Sequence, residues 1–86
     1  MPYLKQDDRK YWDNFLYDLL SRSAFDSPGE LNYIFTKIAH KYLEHKGENY
    51  QHYNDILGAL EGAKLELYRR RVSAYEDIKI YDNGDV

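Results

Sequence analysis

Asn49 to Tyr75 reads NYQHYNDILGALEGAKLELYRRRVSAY, and its spacing decides the fold. Ile56, Leu60, Ala63 and Leu67 step by four, three and four, and Tyr53 extends the series backward. That is the repeat of an apolar helix seam. Leu57, Tyr68, Val72 and Tyr75 make a second stripe beside it. Two stripes on one helix call for two neighbours. The segment is therefore predicted to be the longest helix, from about residue 50 to residue 73 or 75, with Asn49 as its N-cap.

Gly58 and Gly62 are interleaved with Ala59 and Ala63 in the same stretch. A glycine inside a helix costs roughly 0.5–1 kcal/mol against alanine. Two of them suggest that another backbone passes close by. That backbone belongs either to another helix of the same chain or to a second copy, with Gly58, Ala59, Gly62 and Ala63 as the oligomer interface. Both readings stay open at this level.

Two more helices precede this one. Ser27-Pro28-Gly29-Glu30 reads as a capping box, with Pro28 at the first helical position. Leu31, Ile34, Phe35, Ile38, Tyr42 and Leu43 supply a buried stripe, and Gly47 is a good stop. This predicts a helix over residues 28–46. Upstream, Tyr11, Trp12, Phe15, Leu16, Leu19 and Leu20 recur at helical spacing, with Asp7 and Asp8 in the first turn. This predicts a helix over residues 6–24. The tail, residues 76–86, alternates Ile78 and Ile80 with Lys79 and Tyr81 and ends in Asn83-Gly84. It reads as an extended tail with a tight turn, laid over the helices or added as a strand to a partner. The expected fold is all-α: one domain over residues 1–86, with three helices, the third longest, and an extended C-terminal tail.

The 86 residues leave room for one small core. Apolar residues make up 43% of the chain, but ten of them are Tyr, whose hydroxyls need partners or water. A monomer of this composition is marginal, and self-association is one way to bury the rings. A homo-oligomer, most simply a dimer, is expected.

The chain has no Cys, which excludes disulfides, thiol nucleophiles and thiolate metal sites. No run of 18 apolar residues predicts a membrane span, and the polar Met1–Lys10 does not read as a secretory signal. A cytoplasmic protein is the default expectation. Residues 1–75 carry 11 acidic and 11 basic side chains. The net charge of −3 therefore sits in the tail, where Glu76, Asp77, Asp82 and Asp85 face only Lys79. Without a basic excess, DNA binding is not expected.

His40, His45 and His52 lack metal-site spacing, and Asp82 to Asp85 lacks the spacing and closing Glu of a calcium loop. No nucleophile elbow or phosphate-cradling glycine loop is present. No metal, cofactor or enzymatic activity is expected, short of a site shared between subunits. One cluster remains: Lys64, Tyr68, Arg69, Arg70, Arg71 and Tyr75, with Asn32 and Tyr33 as added polar contacts. Guanidinium groups take phosphate bidentately and tyrosine rings stack on bases. The set suits a nucleotide-like anionic small molecule. The plainer reading pairs these arginines with acids such as Glu61, Glu66 or those of the tail.

Several blocks then point the same way. They are Met1-Pro2-Tyr3-Leu4, Gly29-Glu30-Leu31-Asn32-Tyr33, the run Gly58 to Arg70, Tyr75-Glu76-Asp77-Ile78-Lys79-Ile80 and Asn83-Gly84-Asp85-Val86. Together they resemble a family of small bacteriophage and prophage proteins of uncharacterised function. The resemblance covers nearly the whole chain. One departure is Ser73-Ala74 before Tyr75, where the family pattern has a Pro directly before the Tyr. That loosens the expected helix stop. The resemblance implies a phage origin and action in the bacterial cytoplasm. It implies no activity and carries over no catalytic residue. By analogy with small phage proteins that lack catalytic motifs, two roles are expected. The first is a protein-interaction module acting on a host or phage protein. The second is an oligomeric pocket that sequesters a signalling nucleotide, an anti-defence sponge.

Overall fold

The computed structural model describes residues 4–22 and 25–86. It is all-α: α1 is Gln6–Arg22, α2 is Pro28–Lys46, α3 is Tyr50–Leu67 and α4 is Ser73–Asn83. A π-helical turn, Tyr68–Val72, joins α3 to α4 without a break in helical backbone. Residues 50–83 thus form the longest helix. The chain divides into two units, Met1–Ile38 and Ala39–Val86, with the boundary inside α2.

Local chemistry explains the ends. The Glu30 N–H donates to Ser27 Oγ at 3.2 Å, as the capping box requires. The reciprocal bond differs from expectation: Glu30 Oε2 accepts from the Asp26 N–H at 2.9 Å, one residue further back than Ser27. Gly47, at φ +90°, ends α2 by donating to the Leu43 carbonyl at 2.7 Å. Asn49, in extended backbone, caps α3 by accepting from the His52 N–H at 2.9 Å. The last residues expected in the first helix, Ser23 and Ala24, lie outside the described residues.

The tail corrects an expectation. Residues 76–83 are neither extended nor strand-like; they continue the helix, and Asn83-Gly84 is a helix end rather than a hairpin turn. Gly84, also at φ +90°, donates to the Ile80 carbonyl at 2.8 Å. The reason is cooperativity. Lengthening an existing helix adds hydrogen bonds with no new nucleation cost, and two alternating isoleucines do not outweigh that. The chain also lacks the Pro before Tyr75 that would have stopped it.

A second correction concerns burial. Among the described residues no hydrophobic side chain is buried. The α1 stripe, Tyr11 to Leu20, is exposed throughout, as are Leu31, Phe35 and Ile38 of α2. Ile34, Tyr42, Leu43 and Ile56 are half-buried. Along the long helix, Tyr53, Leu57, Leu60, Leu67, Tyr68, Tyr75 and Ile78 are exposed. The apolar periodicity marks faces that are exposed among the described residues. No helix of the described residues is long and apolar enough to cross a membrane.

Candidate functional site

In the second unit, three of the cluster's cations and both of its tyrosines have partners from their own helix. Lys64 Nζ bonds Glu61 Oε1 at 3.3 Å. Glu66 takes both Arg70 Nε, at 2.7 Å, and Arg69 Nη2, at 3.5 Å. These spacings of three and four are the ordinary neighbours of a helix surface. Tyr75 lies under Lys79 Nζ, 5.5 Å from its ring centroid. No ion pair holds Arg71 among the described residues. The plainer reading of the cluster therefore accounts for Lys64, Arg69 and Arg70.

The π-turn changes which residues meet. The Ser73 N–H reaches back five positions to the Tyr68 carbonyl. Such a turn adds one residue to the helix, and π-turns recur at functional sites. Residues eight apart normally lie about 80° apart around an α-helix. With the extra residue they come into line, and the Tyr68 hydroxyl donates to Glu76 Oε2 at 2.9 Å. That bond, with the nearby Glu76 charge, raises the Tyr68 pKa above its ordinary value. Tyr68 and Glu76 are joined by a register that helical periodicity alone does not reveal.

A second polar constellation sits beside the α2–α3 turn. The Tyr42 hydroxyl donates to Asp55 Oδ2 at 2.7 Å, and Gln51 Nε2 donates to Asp55 Oδ1 at 2.8 Å. The Tyr42 bond is the first cause that lowers the Asp55 pKa and the first that raises the Tyr42 pKa. His52 Nδ1 lies 2.7 Å from the Gly47 carbonyl oxygen, and its ring stands edge-on to Tyr42 with centroids 6.2 Å apart. Tyr53 donates to Glu48 Oε1 at 3.2 Å, and partial desolvation is the first cause that raises its pKa. These bonds join the end of α2 and the Gly47–Glu48 turn to the start of α3, so the constellation holds the turn together. Sequence reasoning missed it because Tyr42 and Asp55 are 13 positions apart.

The first unit offers different chemistry. Tyr11, Trp12 and Phe15 form an exposed aromatic cluster, with centroids 5.3 to 6.0 Å apart in edge-on or tilted pairs. An open cleft of about 470 Å³ is lined by Leu19, Phe25, Ser27, Gly29, Glu30, Tyr33 and Ile34. Tyr33, one of the two added contacts, lines this apolar cleft and carries Lys37 Nζ at 5.7 Å from its ring. Asn32, the other, accepts from Thr36 Oγ1 at 3.2 Å. Both belong to the first unit, whereas Lys64 to Tyr75 belong to the second.

The small residues divide. A Cβ added at Gly58 meets nothing within 4 Å, and Ala59 and Ala63 are exposed. Gly62 is buried. No group of three or more His, Cys, Asp or Glu side chains able to hold a metal ion occurs among the described residues. Neither a curated protein nor a solved structure matches the chain. One family does match, over residues 1–86, and the chain belongs to it: the family described as Domain of unknown function (DUF6899).

Proposed function

We propose that the chain is a non-catalytic binding protein of phage or prophage origin. It acts in the bacterial cytoplasm as a homo-oligomeric interaction module on a host or phage protein. One observation carries this reading: the long apolar and aromatic stripes exist, yet no hydrophobic side chain is buried among the described residues. Surfaces rich in tyrosine, tryptophan and phenylalanine are those that partners cover. Gly58 supports the same reading, because a Cβ added there meets nothing within 4 Å among the described residues.

Native mass spectrometry of protein purified from phage-infected cells tests it. The expected spectrum shows two or more copies with a stoichiometric host or phage protein that Trp12→Ala releases. A bare monomer at micromolar concentration overturns the reading.

A second reading, capture of a nucleotide-like anion, is favoured by Arg71, which has no ion pair among the described residues and lies on the π-turn with Tyr68, four residues before Tyr75. Titration with a fluorescent nucleoside triphosphate tests it, with Arg69→Ala, Arg70→Ala and Arg71→Ala measured singly. Arg71→Ala is expected to weaken binding most. Equal affinity in all three variants removes this reading.

A further inference from the structure

We infer that the long helix has two registers, and that the Tyr68–Glu76 bond is the latch that selects the π-turned one. Such a switch is independent of the binding readings above. Two patterns compete in the same residues. Leu57, Tyr68, Val72 and Tyr75 are spaced for an unbroken α-helix, where all four lie within about 60° of arc. The helix instead changes phase at that point. The Ser73 N–H bonds the Tyr68 carbonyl, five positions back, where an α-helix would use Arg69.

The added residue turns everything after it by about 100°. Tyr75 moves from about 20° to about 120° away from Tyr68, and Glu76 takes the place in line with Tyr68 that Tyr75 would hold. The Tyr68 hydroxyl then donates to Glu76 Oε2 at 2.9 Å. In the α register these two residues are about 80° apart, and the bond is lost. Different interactions therefore favour each register. The π register has a hydrogen bond to a carboxylate, which is stronger than one between neutral groups. The α register has regular backbone geometry and an unbroken apolar line from Leu57 to Tyr75.

The neighbouring contacts are indifferent to the register. Lys64 and Glu61 both precede the turn. Arg69 and Arg70 meet Glu66 at spacings of three and four, which an α-helix also supplies. Lys79 and Tyr75 both follow the turn and rotate together. Tyr68 and Tyr75 are exposed, so no packed core fixes either ring. A change of phase carries Tyr75, Ile78 and Lys79 around the axis as one body. The turn thus decides which side chains of α4 share a face with those of α3.

NMR scalar couplings across hydrogen bonds, measured on the full chain, report the register directly. The unaltered chain should couple the Ser73 nitrogen to the Tyr68 carbonyl carbon. Tyr68→Phe keeps the ring and removes the donor; Glu76→Leu removes the acceptor. Each should lose that coupling and gain one from Ser73 to the Arg69 carbonyl. Glu76→Gln keeps an accepting oxygen and should keep the Tyr68 coupling. Ser73 still coupled to Tyr68 in both Tyr68→Phe and Glu76→Leu overturns the latch. An unaltered chain already coupled to Arg69 overturns it as well. Loss of both couplings in the variants, with a fall in helix content, means that the turn melts and that no second register exists.

A distance across the turn checks the rotation. The chain has no Cys, so thiols introduced by Glu61→Cys and Asp77→Cys, both at exposed positions, are the only ones to carry spin labels. Labelled chain is diluted with unlabelled chain, so that distances within one copy are read. The two positions lie about 60° apart around the π-turned helix and about 160° apart in the α register. Adding Tyr68→Phe should lengthen the label distance by about 5 Å. An unchanged distance, with helix content intact, overturns the change of register.

Discussion

Tyr42 and Asp55 link α2 to α3 across 13 positions. Their mutual bond moves the two pKa values apart, Asp55 down and Tyr42 up. The sign of the pH dependence follows. The Asp55 contribution is present above its ordinary value of about 4 and is lost as pH falls through its lowered folded value. The Tyr42 contribution is present below about 10 and is lost as pH rises through its raised folded value. Carbon-detected NMR should find the Asp55 carboxyl titrating below the ordinary aspartate value, and Tyr42→Phe should return it toward that value. Unchanged titration in the variant would show that Gln51, with the charges of His52 and Lys46, sets the shift. Two glycines give opposite expectations. Gly47→Ala forces a side chain onto φ +90° and should cost about 1–2 kcal/mol in thermal unfolding. Gly58→Ala meets only open space and should stabilise the dissociated chain by about 0.5–1 kcal/mol. A loss of stability at Gly58 in concentrated samples would place another copy against its α-carbon.

At the level of helices, caps and stops were legible because they are local. Ser27-Pro28-Gly29-Glu30, Gly47 and Asn49 set the bounds of α2 and the start of α3 through contacts three or four residues away. The π-turn and α4 were not legible. A π-turn depends on one added residue in a run that otherwise suits an α-helix, and the alternation around Ile78 and Ile80 resembles a strand only in isolation. Ala74→Pro tests how far propagation carries the tail. It removes an interior N–H and should end the helix near residue 73, at a cost of about 3 kcal/mol. Circular dichroism should register the loss of the residues of α4, while α3 persists. Unaltered helix content would mean that residues 73–83 are held by contacts other than their own backbone ladder.

For the whole molecule, the apolar stripes and their burial have separate causes. Tyr53, Leu60 and Leu67 are arranged for a core, and the single chain leaves all three exposed. Burial is then a matter of concentration. Folding coupled to association predicts a thermal midpoint that rises with protein concentration, and a helical signal that falls on dilution in step with dissociation. Scanning calorimetry over a hundredfold range of concentration checks this. A constant midpoint would show that one chain folds without its copies. The candidate binding residues behave as their spacing dictates: Lys64, Arg69 and Arg70 find acids three or four positions away, whereas Tyr68 finds Glu76 only through the π-turn.

The amino-acid order alone dictates the helical class, the α2 limits, the N-cap of α3 and the amphipathic faces. These follow from interactions within a turn or two, where dihedral preference and capping outweigh anything distant. The three-dimensional arrangement decides the continuation of the third helix through residue 83, the Tyr42–Asp55 link and the alignment of Tyr68 with Glu76. Each of these depends on backbone register or on groups far apart in sequence. Periodicity marks an apolar face without saying which surface will cover it.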